Sequence, residues 1–168
     1  MKKMFTKLEV MEHEKEAQLI TFNIDDSFLL AQRVVELAGE DASKICISIY
    51  KGKRELFFLA GKNTSYENEC WIHRKRNVVY HHEKSSMLIR LEYNENEEEY
   101  YQTNGLNREE YALAGGGFPV KVMGNGYEGC LTVSGLTMEE DHMLCVNAIK
   151  MLRQEQEELE FDLYSSEK

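Results

Sequence analysis

Several features that mark membrane, secreted and zinc-binding proteins are missing from this 168-residue sequence. Its apolar runs fall far short of the roughly 20 residues that a membrane-spanning helix needs. Lysines occur near the start, but no apolar stretch follows them, so we predict no signal peptide. The four cysteines are scattered and form no C-x-x-C pair, which argues against a zinc ribbon and a disulfide framework. We therefore expect buried, unpaired cysteines and a cytoplasmic location.

Positive charge is scarce as well. The chain has 20 Lys and Arg residues against 30 Asp and Glu residues, which gives a net charge of −10. A chain this acidic repels nucleic-acid phosphates and anionic lipids, so we predict neither a nucleic acid nor a membrane as a partner. One dense basic run stands against this background, His73-Arg74-Lys75-Arg76.

Common catalytic signatures are also absent. The sequence has no GK[ST] phosphate-binding loop, and no Ser-His-Asp or Cys-His signature identifies a nucleophile. Gly124, Gly126 and Gly129 have the spacing of a dinucleotide-binding loop, which requires a strand that turns directly into a helix. Here strand-like residues follow, and Asn125-Gly126 is typical of a hairpin turn. These glycines therefore predict a hairpin, and the sequence leaves open whether the protein is an enzyme.

The remaining patterns predict a single domain over 1–168, with one mostly antiparallel sheet covered by helices. The predicted elements are a helix over 1–20, a helix capped at Asn23 or Asp25, a hairpin over 45–60, a helix opened by the capping box Thr64–Glu67, a helix over 87–93, a short helix over 108–113, a second hairpin that begins near Pro119, and a last helix from Thr137 to about residue 158. We expect the Glu-rich stretch 94–99 to be a solvated loop or a fraying helix end, and the acidic residues 159–168 to be a frayed tail.

The glycine-rich segment and the start of the last helix hold the first candidate ligand-binding residues. Gly115-Gly116-Gly117 can bring backbone N–H groups to an anion, or it can give the chain a tight entry into an edge strand at Pro119. A helix N-terminus disfavours a protonated imidazole, so we expect a neutral His142, which could ligate a metal or haem iron. Asp141 is placed to act as a cap-region acid or as a partner of a ligating residue.

The basic run supplies further candidates. Arg74 and Arg76 could clamp carboxylates or phosphates, because guanidinium groups bind such anions through two parallel hydrogen bonds. They could equally lie on a solvated helix face or pair with the surplus of glutamates. Trp71, one turn earlier, could stack on a flat ligand or belong to the core.

Four blocks of the sequence, in this order, also occur together in one known family. They are Trp71-Ile-His-Arg-Lys-Arg-Asn-Val-Val79, Gly116-Gly-Phe-Pro-Val120, Thr132-Val-Ser-Gly-Leu136 and Asp141-His142. In these blocks the chain resembles the haem-degrading-domain family, also called HbpS/GlcG-like, and within it a UPF-type branch. The resemblance implies an α-β-α fold with a central antiparallel sheet and assembly into dimers or larger rings. It also implies haem or another tetrapyrrole-related ligand in some relatives.

The resulting fold prediction is α/β (α+β), with α-β-α layers and a central, mostly antiparallel sheet of about five strands. We expect a small-molecule-binding protein that forms a homo-oligomer, with haem or a small acidic molecule as the candidate ligand. The alternative is a non-enzymatic oligomeric module for protein interactions. We name no catalytic residue and no metal ligand. The predicted ligand-binding residues are Trp71, Arg74, Arg76, Gly116, Gly117, Ser134, Asp141 and His142.

Overall fold

A computed structural model describes residues 4–167 of the chain. Its strands are β1 (Cys46–Lys51), β2 (Arg54–Ala60), β3 (Gly117–Val122) and β4 (Gly126–Ser134). Its helices are α1 (Lys7–Glu16), α2 (Ile24–Ala38), α3 (Tyr66–His82), α4 (Ser86–Glu92), α5 (Glu97–Asn104) and α6 (Met138–Ser166). A short 3₁₀ segment, Gly39–Lys44, follows α2.

The strands form one antiparallel sheet in the order β2-β1-β4-β3. Alternate residues of a strand point to opposite faces of a sheet. On one face, Ile47, Phe118 and Leu131 pack into the main core together with residues of α2 and α6. On the other face, the Tyr50 ring packs edge-on against Tyr80 of α3. Helices therefore cover both faces, which confirms the predicted α-β-α layers and antiparallel sheet.

Side chains that cap helices explain where most helices start. Thr137 forms the predicted capping box at the start of α6, and Asn23 caps α2. Helix α3 starts one residue later than its predicted cap, because the Thr64 hydroxyl instead donates to the Gly61 carbonyl at 2.6 Å. The predicted hairpin between β3 and β4 is present, with its turn at Asn125.

Two predicted elements differ from the observed ones. The described residues form four strands rather than about five, although Leu19 adds one parallel bridge to Val122 at the outer edge of β3. The helix predicted over 108–113 is wrong. Backbone hydrogen bonds to the Asn107 carbonyl close a single turn there, and the chain then becomes extended toward β3.

Other differences concern where elements begin. Helix α5 starts inside the Glu-rich stretch predicted to be a solvated loop or a fraying end, because the Asn96 side chain accepts the Glu99 N–H at 3.2 Å. Three glutamates in its first turn also suit the positive end of the helix dipole. Helix α1 occupies the middle of the predicted helix over 1–20, and residues 1–3 lie outside the described part of the chain. All four cysteines are unpaired, as expected, and three of them are buried, whereas Cys70 is only half-buried.

Helix α6 continues to Ser166, well past its predicted end. Its first part packs against α2 and the sheet, whereas residues 157–166 are exposed. Fraying of the acidic tail over 159–168 stays a prediction. Within the described residues, no helix combines the length and the apolar content needed to cross a membrane.

Gly116 sets the path by which the chain enters β3. Its φ is +124°, a value that residues with a side chain rarely adopt. A Cβ atom at this position would collide with the Val133 carbonyl oxygen and would lie 2.9 Å from Lys75 Nζ and 3.0 Å from Asp141 Cβ. Glycine therefore lets this segment lie directly against side chains from α3 and α6, so the tight strand entry is the arrangement that the structure adopts.

We expect Gly116→Ala to lower the free energy of unfolding by at least about 3 kcal/mol, because backbone strain and a steric collision act together. Gly52→Ala is a matched control, since Gly52 also has a positive φ but open space around its Cα. It should lose about 1 kcal/mol. Urea denaturation measures both values, and equal losses would show that the close approach at Gly116 has no energetic importance.

Candidate functional site

A cavity of about 350 Å³ lies between α3, the segment before β3 and the first turn of α6. This volume is at the lower end of the range for small-molecule sites. Trp71 and Lys75 of α3 form one wall, Ser134 lies at the end of β4, and Asp141 of α6 forms the opposite wall. The cavity therefore collects residues from three separate parts of the chain, including several of the predicted site residues.

A buried ion pair joins the two walls of the cavity. Lys75 is 3% exposed and Asp141 is 1% exposed, and the distance from Lys75 Nζ to Asp141 Oδ2 is 3.0 Å. Lys75 Nζ also donates to the Val133 carbonyl at 3.2 Å. An ammonium group has three N–H donors. After these two bonds, one N–H of Lys75 has no partner among the described residues.

Backbone groups complete the environment of the Asp141 carboxylate. It accepts hydrogen bonds from the backbone N–H groups of Gly135 at 3.3 Å and Leu136 at 3.1 Å. Burial raises the pKa of Asp141 above its ordinary value, and the neighbouring Lys75 and these N–H groups oppose that rise. Asp141 therefore fixes the turn between β4 and α6 as well as the position of the Lys75 amine.

Trp71 and Arg74 form a stacked pair at the edge of the cavity. The Arg74 guanidinium lies 4.7 Å from the centroid of the Trp71 ring. Its Nε and one terminal nitrogen donate to the Arg108 carbonyl at 3.1 and 2.9 Å. Arg74 therefore holds the indole in place, while the indole itself lines the cavity.

Arg76 points away from the cavity. Its guanidinium lies 4.1 Å from the centroid of the Tyr50 ring, on the face of the sheet that α3 covers. One of its terminal nitrogens is 3.1 Å from His73 Nδ1. The two arginines of the basic run thus contact different surroundings and do not converge on one ligand.

Gly116 and Gly117 shape the cavity from behind rather than as donors at its surface. Gly116 lies between Lys75 and Asp141, as its close approach to both side chains shows. The Gly117 N–H donates to the Ser86 hydroxyl at 2.9 Å and is therefore already used within the fold.

His142 is fully buried and does not line the cavity. Its ring packs against Phe5 and Phe118, and its Nε2 lies 3.0 Å from Nδ1 of His13 on α1. Burial and, to a smaller extent, the neighbouring His13 together lower the pKa of His142 to about 3. His142 is therefore neutral at pH 7, and it joins α6 to α1.

Comparison with known proteins identifies the family. The family described as "Haem degrading protein HbpS-like" matches residues 22–150. The chain belongs to this family. A UPF0303 protein of Lactiplantibacillus plantarum is 41% identical over 148 residues, which cover 88% of this chain and 96% of the relative. A UPF0303 protein of Streptomyces coelicolor is 35% identical over 145 residues, which cover 86% and 92% of the two chains. These two relatives show that the chain also belongs to the UPF-type branch of the family.

Solved structures share the fold at lower identity. The crystal structure of the Ybr137w protein superposes with a TM-score of 0.82 at 24% identity, covering 92% of this chain and 91% of the other. HbpS gives a TM-score of 0.62 at 15% identity, with coverage of 80% and 92%. A PduOC:heme complex gives 0.61 at 16% identity, with coverage of 77% and 94%. These similarities establish the fold of the HbpS-like domain.

The residues around the cavity do not fit haem. Among the described residues that line it, no histidine, cysteine or tyrosine is available as an axial ligand. Met138 lines the cavity, but methionine acts in cytochromes together with a histidine. The cation of the cavity, Lys75, is already paired with Asp141. Across residues 4–167, no three His, Cys, Asp or Glu side chains lie close enough together to hold a metal ion.

Lys75 lies in the basic run but was not among the predicted ligand-binding residues. It follows Trp71 by four residues, so the two side chains lie on one face of α3. The basic run drew attention to arginines, because their guanidinium groups suit anions. The useful signal was the helical spacing from Trp71, which separates the inward Lys75 from its outward neighbours.

We expect Lys75→Met to lower the free energy of unfolding by about 3–5 kcal/mol, because Asp141 stays buried without a counter-ion. The double variant Lys75→Met/Asp141→Asn should recover most of that loss, since it leaves no lone buried charge. Urea denaturation of the wild type, both single variants and the double variant gives the coupling energy. Additive losses would mean that the two side chains do not form an ion pair in solution.

A second prediction concerns the pH dependence of stability. The pKa of His142 is about 3 in the folded chain and near 6.5 when unfolded, so the unfolded chain binds this proton first as the pH falls. Stability is therefore lost from pH 6.5 toward pH 3, at up to about 1.4 kcal/mol per pH unit for one group. His142→Phe should flatten the measured slope between pH 7 and pH 4.

The surface variant His73→Gln is the control for this experiment and should keep the wild-type slope. His82, whose pKa burial lowers to about 4, is present in all three proteins and cancels in the comparison. An unchanged slope in His142→Phe would show that His142 is accessible to protons in the folded protein.

Proposed function

We propose that this protein binds a small planar molecule, with a carboxylate or carbonyl oxygen, in the cavity between α3 and α6. The observation that carries the proposal is the buried Lys75 amine, which lines the cavity and has one N–H beyond its bonds to Asp141 and Val133. A ligand oxygen can accept this N–H without breaking the ion pair. Such a hydrogen bond is strong because its donor is charged and shielded from water.

Trp71 supports the planar part of the proposed ligand. Large aromatic side chains bind flat molecules by stacking, and the indole is held by Arg74 before any ligand arrives. In this proposal Gly116, Ser134 and Asp141 shape the cavity and position Lys75. Arg74 acts through Trp71, and Arg76 and His142 contribute to the fold around the site.

Family membership agrees with a role in binding a small molecule, but the ligand that the cavity supports is smaller than haem. The neighbouring PduOC structure is a haem complex, which is a property of that protein. For this chain, haem would need a site outside the cavity, such as one shared between two subunits. No reaction is proposed, because the lining offers no nucleophile placed beside a base.

Fluorescence of the protein tests the proposal directly, because Trp71 is the single tryptophan of the chain. Titration with nicotinate, a planar carboxylate, should quench the emission in a saturable way, and calorimetry should give the same dissociation constant. The variant Lys75→Gln/Asp141→Asn removes the amine and leaves no lone charge, and it should bind at least about tenfold more weakly.

Lys53→Gln, which changes an exposed lysine far from the cavity in sequence, should bind as the wild type does. The same titration with larger planar carboxylates and with haemin extends the series. Absence of saturable quenching by all planar carboxylates would refute the proposal. Binding of haemin that is unaffected by the double variant would place haem at a different site.

The alternative function, a non-enzymatic oligomeric interaction module, has support of its own. Large apolar side chains are exposed at the end of α6, where Phe161 and Tyr164 are 73% and 77% exposed. An apolar surface of this kind is typical of protein contacts. The two functions are compatible, because the cavity and the end of α6 lie at opposite ends of that helix.

A further inference from the structure

The last part of α6 extends beyond the rest of the fold. Residues 157–166, which we call the overhang, are helical but exposed. At 1.5 Å per residue the overhang is about 15 Å long. Helices of this length have little stability of their own and usually depend on packing against another surface. The described protomer provides no such surface for the overhang.

The overhang continues a face of α6 whose apolar stripe is buried earlier in the same helix, at Cys145, Ile149 and Leu152. The polar Gln156 follows on this face. Leu152 and Gln156 are 1% and 8% exposed, and they dock α6 onto its own protomer. Leu159 and Leu163 follow at the same alternating spacing of three and four residues, so they lie on the same face. They are 62% and 68% exposed. The stripe that holds α6 in the fold therefore runs on without cover.

A groove between α2 and β2 offers an apolar surface of matching kind. It has a volume of about 470 Å³, and its apolar lining comes from Phe28, Ala31, Val35 and Phe57. Phe28 is 50% exposed, although its ring packs on Phe57 at 5.8 Å between centroids. The groove borders an edge strand, since β2 pairs only with β1 among the described strands.

Charge indicates what the overhang would contact. The overhang holds four acidic residues and no basic residue, so two overhangs side by side would repel each other. In contrast, Lys53, in the turn before β2, and Arg54, the first residue of β2, are both exposed. Glu36, at the rim of the groove, is already paired with Arg33 at 2.7 Å. The basic turn and the apolar groove thus complement an acidic helix with an apolar stripe.

The two surfaces also lie toward the same end of the protomer. Gln156, just before the overhang, bonds to Thr21 and to Asp26, which is two residues from Phe28. A two-fold axis near this end would bring each overhang to the groove of the other copy. A reciprocal arrangement of this kind forms the contact twice, as closed dimers do.

We propose that the overhang of one copy docks into the α2–β2 groove of a second copy, with Leu159 and Leu163 against Phe28 and Phe57. The overhang's acidic side chains then lie beside Lys53 and Arg54 of that second copy. This inference does not depend on the ligand cavity, because none of its residues lines that cavity.

Light scattering coupled to size-exclusion chromatography tests the proposal on the full chain. The wild type should elute as a dimer or a larger assembly at micromolar concentration. Leu159→Glu/Leu163→Glu should dissociate it, and so should Phe28→Glu in the groove. Ser165→Glu adds the same charge to the same exposed helix but outside the stripe, and it should leave the assembly intact. Circular dichroism at each concentration verifies that the variants stay folded.

Charge exchange distinguishes this contact from any other. Glu158→Lys/Asp162→Lys and Lys53→Glu/Arg54→Glu should each weaken assembly by about tenfold or more, and an equimolar mixture of the two variants should recover part of the lost affinity. A monomeric wild type overturns the proposal. So does an assembly that survives Phe28→Glu, because the groove would then have no part in it. Loss of assembly in both sets without recovery in the mixture would reject the pairing of these charges.

Discussion

The ion pair between Lys75 and Asp141 is the interaction on which the half of the fold around the candidate cavity depends. It connects the middle of α3 to the first turn of α6, and through the Val133 carbonyl it also reaches β4. A pair this deeply buried adds little net stability, because both groups lose their hydration. The ion pair instead determines how the segments around it are positioned. Gly116 lies directly against both side chains where the chain enters β3, and the same two side chains line the cavity.

Local chemistry made much of the fold predictable. Capping by Asn23 and Thr137 depends on residues three positions apart, and the β3–β4 hairpin depends on the glycines around Asn125. The errors arose where local preference was weak or divided. In the Glu-rich stretch, the high density of acidic residues led to the prediction of a loop or a fraying end. Their charge instead stabilises the start of a helix, because the capping residue Asn96 precedes them. Near Asn107 the capping residue was present, but no apolar periodicity followed it to extend a helix.

The candidate site was less predictable, because its residues come from distant parts of the chain. Lys75 and Asp141 are far apart in sequence, and nothing local to either residue indicates that they meet. Trp71, Ser134 and Asp141 were selected and do lie together around the cavity. Arg74 and Arg76 were selected for their chemistry, yet helical geometry turns one toward the indole and the other toward Tyr50. A basic run on a helix spreads its charges around the axis, so composition alone overstates how many of them can act together.

His142 illustrates a correct expectation with a different cause. A neutral imidazole was predicted from the helix N-terminus, but the structure makes burial the main reason and places His13 beside it. His142 is buried away from the cavity. Its imidazole is neutral, which allows it to pack between α1 and α6 without the cost of a buried charge. The same helix thus combines two kinds of surface. The part of α6 from Asp141 to Gln156 is covered by the rest of the chain. Residues 157–166 continue the same spacing of apolar residues but are exposed. Leu159 and Leu163 bury little apolar surface within the single protomer, and this exposed apolar face is the reason why we propose a contact with a second copy.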